Sequence, residues 1–231
     1  MRAAFLIALL LAGCAQAPEG GADVREVTLT TADGWLIKGT FYNASSEKGV
    51  ILLHMLRRDR STYRELALAL QKAGYRSIAI DLRGHGGSTN KGTWEAFGET
   101  DFNSMVEDVR AAKEFLASQG ARTFALIGAS IGANTALAYA VGDSDVKAAV
   151  LLSPGLDYRG VKTEKAAGRA VIPLLIAASD EDEYSFISAQ RLAQLASASE
   201  LRTFSGAGHG TDMLAKTNLT QEIIRWLDRR L

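Results

Sequence analysis

Two strand-like runs open the ordered pattern of the chain, residues 24–31 and 35–42, joined at Ala32-Asp33-Gly34, a hairpin turn signal. Beyond them the pattern changes. Short apolar runs at 50–53, 77–80, 123–127, 146–152 and 174–178 alternate with segments whose apolar residues recur at helical spacing. Tyr63, Leu66, Ala67 and Leu70 form one such face, closed by Gly74; Phe102, Val106, Val109 and Leu116 form another, ended near Gly120. An Ala-rich helix follows Gly132, a helix is predicted over 185–196 and a last strand over 201–204, and Leu219, Ile223, Trp226 and Leu227 mark a terminal helix. Apolar strands separated by amphipathic helices require a sheet covered on both faces. The predicted fold is therefore α/β: a doubly wound, mostly parallel sheet with an antiparallel hairpin at its N-terminal edge.

Composition narrows the function classes. With 231 residues, 47% hydrophobic and 23% charged, the chain is neither disordered, collagen-like nor a coiled coil. Lys plus Arg and Asp plus Glu are 26 each, so there is no basic field to hold nucleic acid. One Cys excludes an internal disulfide framework and a Cys-rich zinc site. No repeat or second linker interrupts residues 24–231, which read as one domain. Ahead of it, Arg2 precedes an apolar run over 3–12, about 15 Å of helix and half of what a bilayer core needs. Such a start reads as a secretory signal. Leu11-Ala12-Gly13-Cys14 resembles the bacterial lipobox. That resemblance implies a signal peptide over 1–13, a lipid on the Cys14 sulfur, and a tether over 14–23 holding the domain to a membrane. It also implies a periplasm-facing place in the cell envelope, with Ala15 pointing to the outer membrane.

The candidate chemistry centres on Gly128-Ala129-Ser130-Ile131-Gly132, a G-x-S-x-G between a predicted strand and a predicted helix. There a Ser sits on a tight turn with its hydroxyl out of the sheet and a helix N-terminus behind it. In this arrangement the acid and then the His follow in chain order. Of the three His, at 54, 85 and 209, only His209 lies after Ser130, in the glycine-rich stretch 206–210. The acid belongs at the end of the strand at 174–178, where Asp180, Glu181, Asp182 and Glu183 all stand. The three His lie far apart in sequence, so no metal site and no cofactor are expected.

These motifs resemble the α/β-hydrolase superfamily, in its dienelactone-hydrolase-like, serine esterase branch, over residues 24–231. Leu52-Leu-His-Met-Leu56 is similar to the family's L-L-H-G-x segment, with Met55 where Gly is usual. The resemblance implies that the backbone N–H groups of Leu56 and Ile131 form an oxyanion hole. It selects Asp182 as the acid, three positions after the strand's last small residue, with Asp180 the alternative and the two Glu as solvated neighbours. Asp81-Leu-Arg-Gly-His-Gly-Gly-Ser88 is similar to the family's D-x-R-G-H-G-x-S turn, which implies structural roles for Asp81, Arg83 and His85, with His54 orienting the turn beside the hole. The implied catalytic residues are Ser130, Asp182 and His209, acting on a small-molecule ester or related acyl substrate. Peptidase, thioesterase or lactone hydrolase activity is possible on the same triad, and a silent binding lipoprotein is the reading from another class. Residues 153–172 are too few for a full cap, and Trp94, Phe97 and Phe102 either line an acyl pocket or cover the sheet edge.

Overall fold

Strands β1 (Val24–Thr30) and β2 (Leu36–Tyr42) pair antiparallel through a turn in which Gly34 takes φ +79°. The computed structural model describes residues 23–231, so the signal peptide, Cys14 and nearly all of the tether lie outside the described residues. After β2 the chain runs through β3 (Lys48–Leu53), α1 (Arg64–Lys72), β4 (Arg76–Ile80), α2 (Glu99–Asn103) and α3 (Val106–Ser118). It continues with β5 (Thr123–Ala129), α4 (Ile131–Ala140), β6 (Val146–Leu152), β7 (Asp157–Tyr158), β8 (Val161–Lys162) and α5 (Glu164–Ala167). The last elements are β9 (Leu174–Ser179), α6 (Glu183–Leu195), β10 (Ser199–Phe204), α7 (Asp212–Lys216) and α8 (Leu219–Asp228).

Eight strands form one sheet in the order β1-β2-β4-β3-β5-β6-β9-β10, parallel from β4 to β10. Successive side chains of a strand face opposite ways. Ile51 and Leu53 of β3 therefore belong to the core beneath α3, α4 and α6, while Val50 and Leu52 belong to the core beneath α1 and α8 on the other face. Each such Leu or Ile, fully buried, contributes about 2 kcal/mol.

Chain order reverses at β3, whose sequence neighbour β4 lies on one side and β5 on the other. In open α/β sheets ligands bind outside the carboxyl ends of the strands at such a reversal. The register sets those ends in a row: Leu53 beside Gly128, Ala129 beside Leu152, Leu152 beside Ala177, and Ser179 beside Phe204. Every loop that carries a candidate residue leaves from this edge.

Two segments differ from the sequence pattern. The helix predicted through Phe102 and Leu116 is broken into α2 and α3, because the Ser104 hydroxyl back-bonds to the Thr100 carbonyl and the amides of Met105, Glu107 and Asp108 each bond three residues back. Between β6 and β9 there is only the β7–β8 hairpin and the single turn α5, so nothing the size of a cap covers the sheet edge.

Candidate active site

Ser130 joins β5 to α4 with φ +54° and ψ −119°, a conformation L-residues rarely adopt. Packing enforces it. The Ser130 N–H donates to the Leu152 carbonyl at 2.9 Å. A Cβ on Gly128 would lie 2.1 Å from the Gly132 carbonyl oxygen, and one on Gly132 only 2.3 Å from that of Leu53. The glycine spacing of the motif is thus a steric requirement, and it brings the first turn of α4 against the end of β3. Ser130 is buried, with 5% of its surface exposed. Ile131 opens α4, where an N–H has no intrahelical acceptor and the helix dipole is positive. Among the described residues, neither the Leu56 nor the Ile131 amide donates to a protein acceptor.

The four carboxylates after β9 go to different partners. Asp182 accepts a hydrogen bond from His209 Nδ1 at 2.5 Å. Asp180 instead accepts from the Ser205 hydroxyl at 2.6 Å, and Glu181 from the Ser179 hydroxyl and the Gly208 N–H, each at 2.5 Å. Glu183 begins α6, exposed. It is Asp182, then, and not Asp180 that meets His209. Burial pushes the Asp182 carboxyl up, but hydrogen bonds from His209 and Ser185 outweigh it and hold the group below its ordinary value. With Nδ1–H committed to Asp182, the lone pair of His209 lies on Nε2. His209 itself is fastened on both sides: Ala207 N–H to the Ser179 hydroxyl at 2.9 Å, Gly208 N–H to Glu181, and Gly210 N–H to the Ser153 hydroxyl at 2.8 Å.

The family described as serine aminopeptidase, S33, matches residues 44–162, more than half of the chain. The chain belongs to the α/β-hydrolases. The rat protein ABHD14B, a putative protein-lysine deacylase, is 31% identical over 170 residues, covering 69% of this chain and 73% of that protein. An uncharacterized Mycobacterium tuberculosis protein is 32% identical over 136 residues, 56% of this chain, and the chain spans about half of its length, 45%. The Pyrococcus furiosus esterase Pf2001 shares the fold at a TM-score of 0.75 and 19% identity, over 90% of this chain and 91% of that one.

In this α/β-hydrolase the remaining motif residues are scaffolding. His54, fully buried, donates from Nδ1 to the Met55 carbonyl at 2.8 Å and accepts from the Leu82 N–H on Nε2 at 3.0 Å, tying the Leu56 turn to the loop after β4. Burial and the neighbouring His85 push its pKa down to about 3, so it is a neutral strut. Asp81 accepts from the Arg60 and Gly87 amides, both at 2.8 Å, and from the Arg60 guanidinium. Arg83 pairs with Asp108 at 2.8 Å and Asp33 at 2.7 Å, and His85 bonds the Arg83 carbonyl. Phe102 is 2% exposed and Phe97 stands edge-on between it and Trp35, so this pair belongs to the core. Trp94 stacks on His85 and, with Arg57 and Arg58, lines a groove of about 470 Å³.

Several residues the sequence reading passes over hold the site together. Glu181, expected as a solvated neighbour, braces the His209 loop, and the Ser179 hydroxyl draws its pKa down to about 2. Ser153, in the left-handed region at φ +48°, and buried Asn134 do similar work, Asn134 bonding Gly155 and Val161 to pin the β7–β8 hairpin to α4. Tyr158 of that hairpin presents its ring edge-on to His209, centroids 6.5 Å apart. Among the described residues, no group of three His, Cys, Asp or Glu converges as a metal site would.

Proposed function

We propose that this α/β-hydrolase cleaves carboxylic esters through a Ser130–His209–Asp182 triad and an acyl-enzyme. The observation that carries this reading is the Asp182–His209 hydrogen bond, held on the same sheet edge as a strained Ser130. His209 Nε2 takes the Ser130 proton as the oxygen attacks the acyl carbon, while Asp182 orients the imidazole and stabilises its cation. The Leu56 and Ile131 amides receive the oxyanion, each donor worth about 3 kcal/mol in the transition state. The tetrahedral adduct collapses as His209 returns the proton to the leaving alcohol; water, activated by the same imidazole, releases the acid. The edge without a cap favours small or exposed acyl groups. Amide cleavage, which the names of the family and of the rat relative carry, uses the same residues, so N-acyl-lysine substrates belong beside p-nitrophenyl esters in the assay.

The test is labelling by a fluorophosphonate together with ester turnover. Wild type is expected to label, and Ser130→Ala to lose labelling and about a million-fold of kcat/KM. Undiminished turnover in that variant sinks the assignment, and a wild type that never labels supports a binding role instead. We also propose that Cys14 carries a lipid anchor at the periplasmic face of the outer membrane, on the strength of the apolar run before it. Cys14→Ser is expected to shift the protein from the membrane to the soluble fraction; retention in the membrane overturns the anchor.

A further inference from the structure

Met55 stands where this family usually has glycine, one residue before the Leu56 amide, and its two ends are held differently. Its carbonyl accepts from the Arg58 N–H at 3.2 Å and from His54 Nδ1 at 2.8 Å, so its backbone is part of the Leu56 turn. Its side chain is buried in the same core cluster as Ala129, Ala207 and Met213. There the sulfur lies against Gly210, the residue after His209. A Cβ on Gly210 would come within 2.8 Å of the Met55 sulfur and 3.2 Å of the Ala129 Cβ, and Ala129 directly precedes Ser130. The His209 loop takes positive φ at Gly206, Gly208 and Gly210, a backbone that deforms easily. Its polar braces run to Ser153, Ser179, Glu181 and Asp182, all at the ends of β6 and β9. Among the described residues no hydrogen bond joins this loop to the Leu56 turn at the end of β3; the Met55 side chain is what crosses between them.

Resting on the triad reading above, we propose that Met55 is a positioning residue whose side chain fixes the spacing between the Leu56 amide and the His209 loop. The oxyanion donor and the general base then stay in register for the transition state. Close packing transmits position: a side chain fixed at its backbone and seated against Gly210 leaves the loop no gap to relax into. Without that contact the loop keeps its braces to β6 and β9 but loses its stop against the end of β3. A displacement of about 1 Å in such a group can cost about a hundredfold in rate. Met55 acts through Leu56 and His209 from within the core, so its effect falls on kcat and leaves KM alone.

Leucine puts a carbon where methionine has its sulfur, whereas valine stops one atom short. Met55→Leu, which also conserves core volume, is expected to keep kcat for p-nitrophenyl acetate and the fluorophosphonate labelling rate within about threefold of wild type. Met55→Val is expected to lose about tenfold or more in both, with KM within about twofold. Urea midpoints taken alongside show that each variant is folded where its rates are read, and there a merely structural side chain leaves kcat unchanged. Gly210→Ala tests the contact itself. The new Cβ meets the sulfur in the wild-type background and finds no such atom in Met55→Val, while the strain at φ +59° is the same in both. Gly210→Ala is therefore expected to cost about fivefold less or better in the Met55→Val background. Wild-type kcat in Met55→Val, a change confined to KM, a tenfold loss in Met55→Leu, or an equal cost of Gly210→Ala in both backgrounds overturns the proposal. Failure of the triad reading looks different, since wild type itself then does not label.

Discussion

His209 is held by what surrounds its peptide rather than by its own side chain. The amides of Ala207, Gly208 and Gly210 each find a side-chain oxygen, so the imidazole needs only one further contact, to Asp182, to be oriented. That contact separates the two neighbouring aspartates. Asp182→Asn turns an acceptor into a group that can present N–H to Nδ1, which favours the wrong tautomer, and kcat is expected to fall by about 10³–10⁴. Asp180→Asn keeps an oxygen for Ser205 and is expected to cost less than about tenfold. Steady-state kinetics of the two variants on one ester decide it; a larger loss at Asp180 reverses the assignment. Ser130 and His209 are legible in the sequence because tight turns leave glycines around them. Asp182 is not singled out by the residues alone, since four carboxylates stand in a row and only the tertiary register selects one. Ser153 and Ser179 are invisible for a related reason: they bond Gly210 and Ala207 across 57 and 28 residues.

At the level of elements, the strands are the most legible part, because a parallel strand buried on both faces is written as an apolar run and needs no long-range information. All five apolar runs named from the sequence fall within strands, and the hairpin turn lies at Gly34 as its sequence requires. The break between α2 and α3 is not legible: helical spacing continues through it, and a serine back-bond is what interrupts the ladder. Nor is the β7–β8 hairpin, whose strands are two residues each and whose position depends on Asn134, itself a polar residue buried in an otherwise Ala-rich helix. The elbow and the hairpin depend on each other. α4 follows Ser130 and, one turn on, presents Asn134 to the hairpin, so the helix behind the nucleophile also fixes the short strap that sets Tyr158 edge-on to His209.

For the molecule as a whole, the reversal of strand order at β3 places the Leu56 turn and the Ser130 elbow side by side, and a single buried residue braces that junction. His54 lies under the Leu56 turn with its pKa at about 3, lowered by burial and then by His85, against an ordinary value near 6.5. A group whose folded pKa is depressed contributes its stability above the unfolded value, and loses it as pH falls toward the folded one. Below about pH 6.5 the unfolded chain therefore takes up a proton that the folded chain refuses, and His54 costs up to about 1.4 kcal/mol of global stability per pH unit down to about pH 3. His54→Asn keeps a donor for the Met55 carbonyl, gives up the acceptor for Leu82, and titrates no proton. At pH 8 it is expected to be the less stable protein, by the lost buried hydrogen bond and some packing. Between pH 6.5 and pH 4.5 its disadvantage is expected to shrink, because the wild type alone pays the protonation penalty there; Asp108, raised to about 6 by burial, is common to both proteins. Urea midpoints of the two proteins at half-unit pH steps measure the gap, and a gap that stays constant on acidification would show that His54 accepts its proton in the folded state as readily as in the unfolded one.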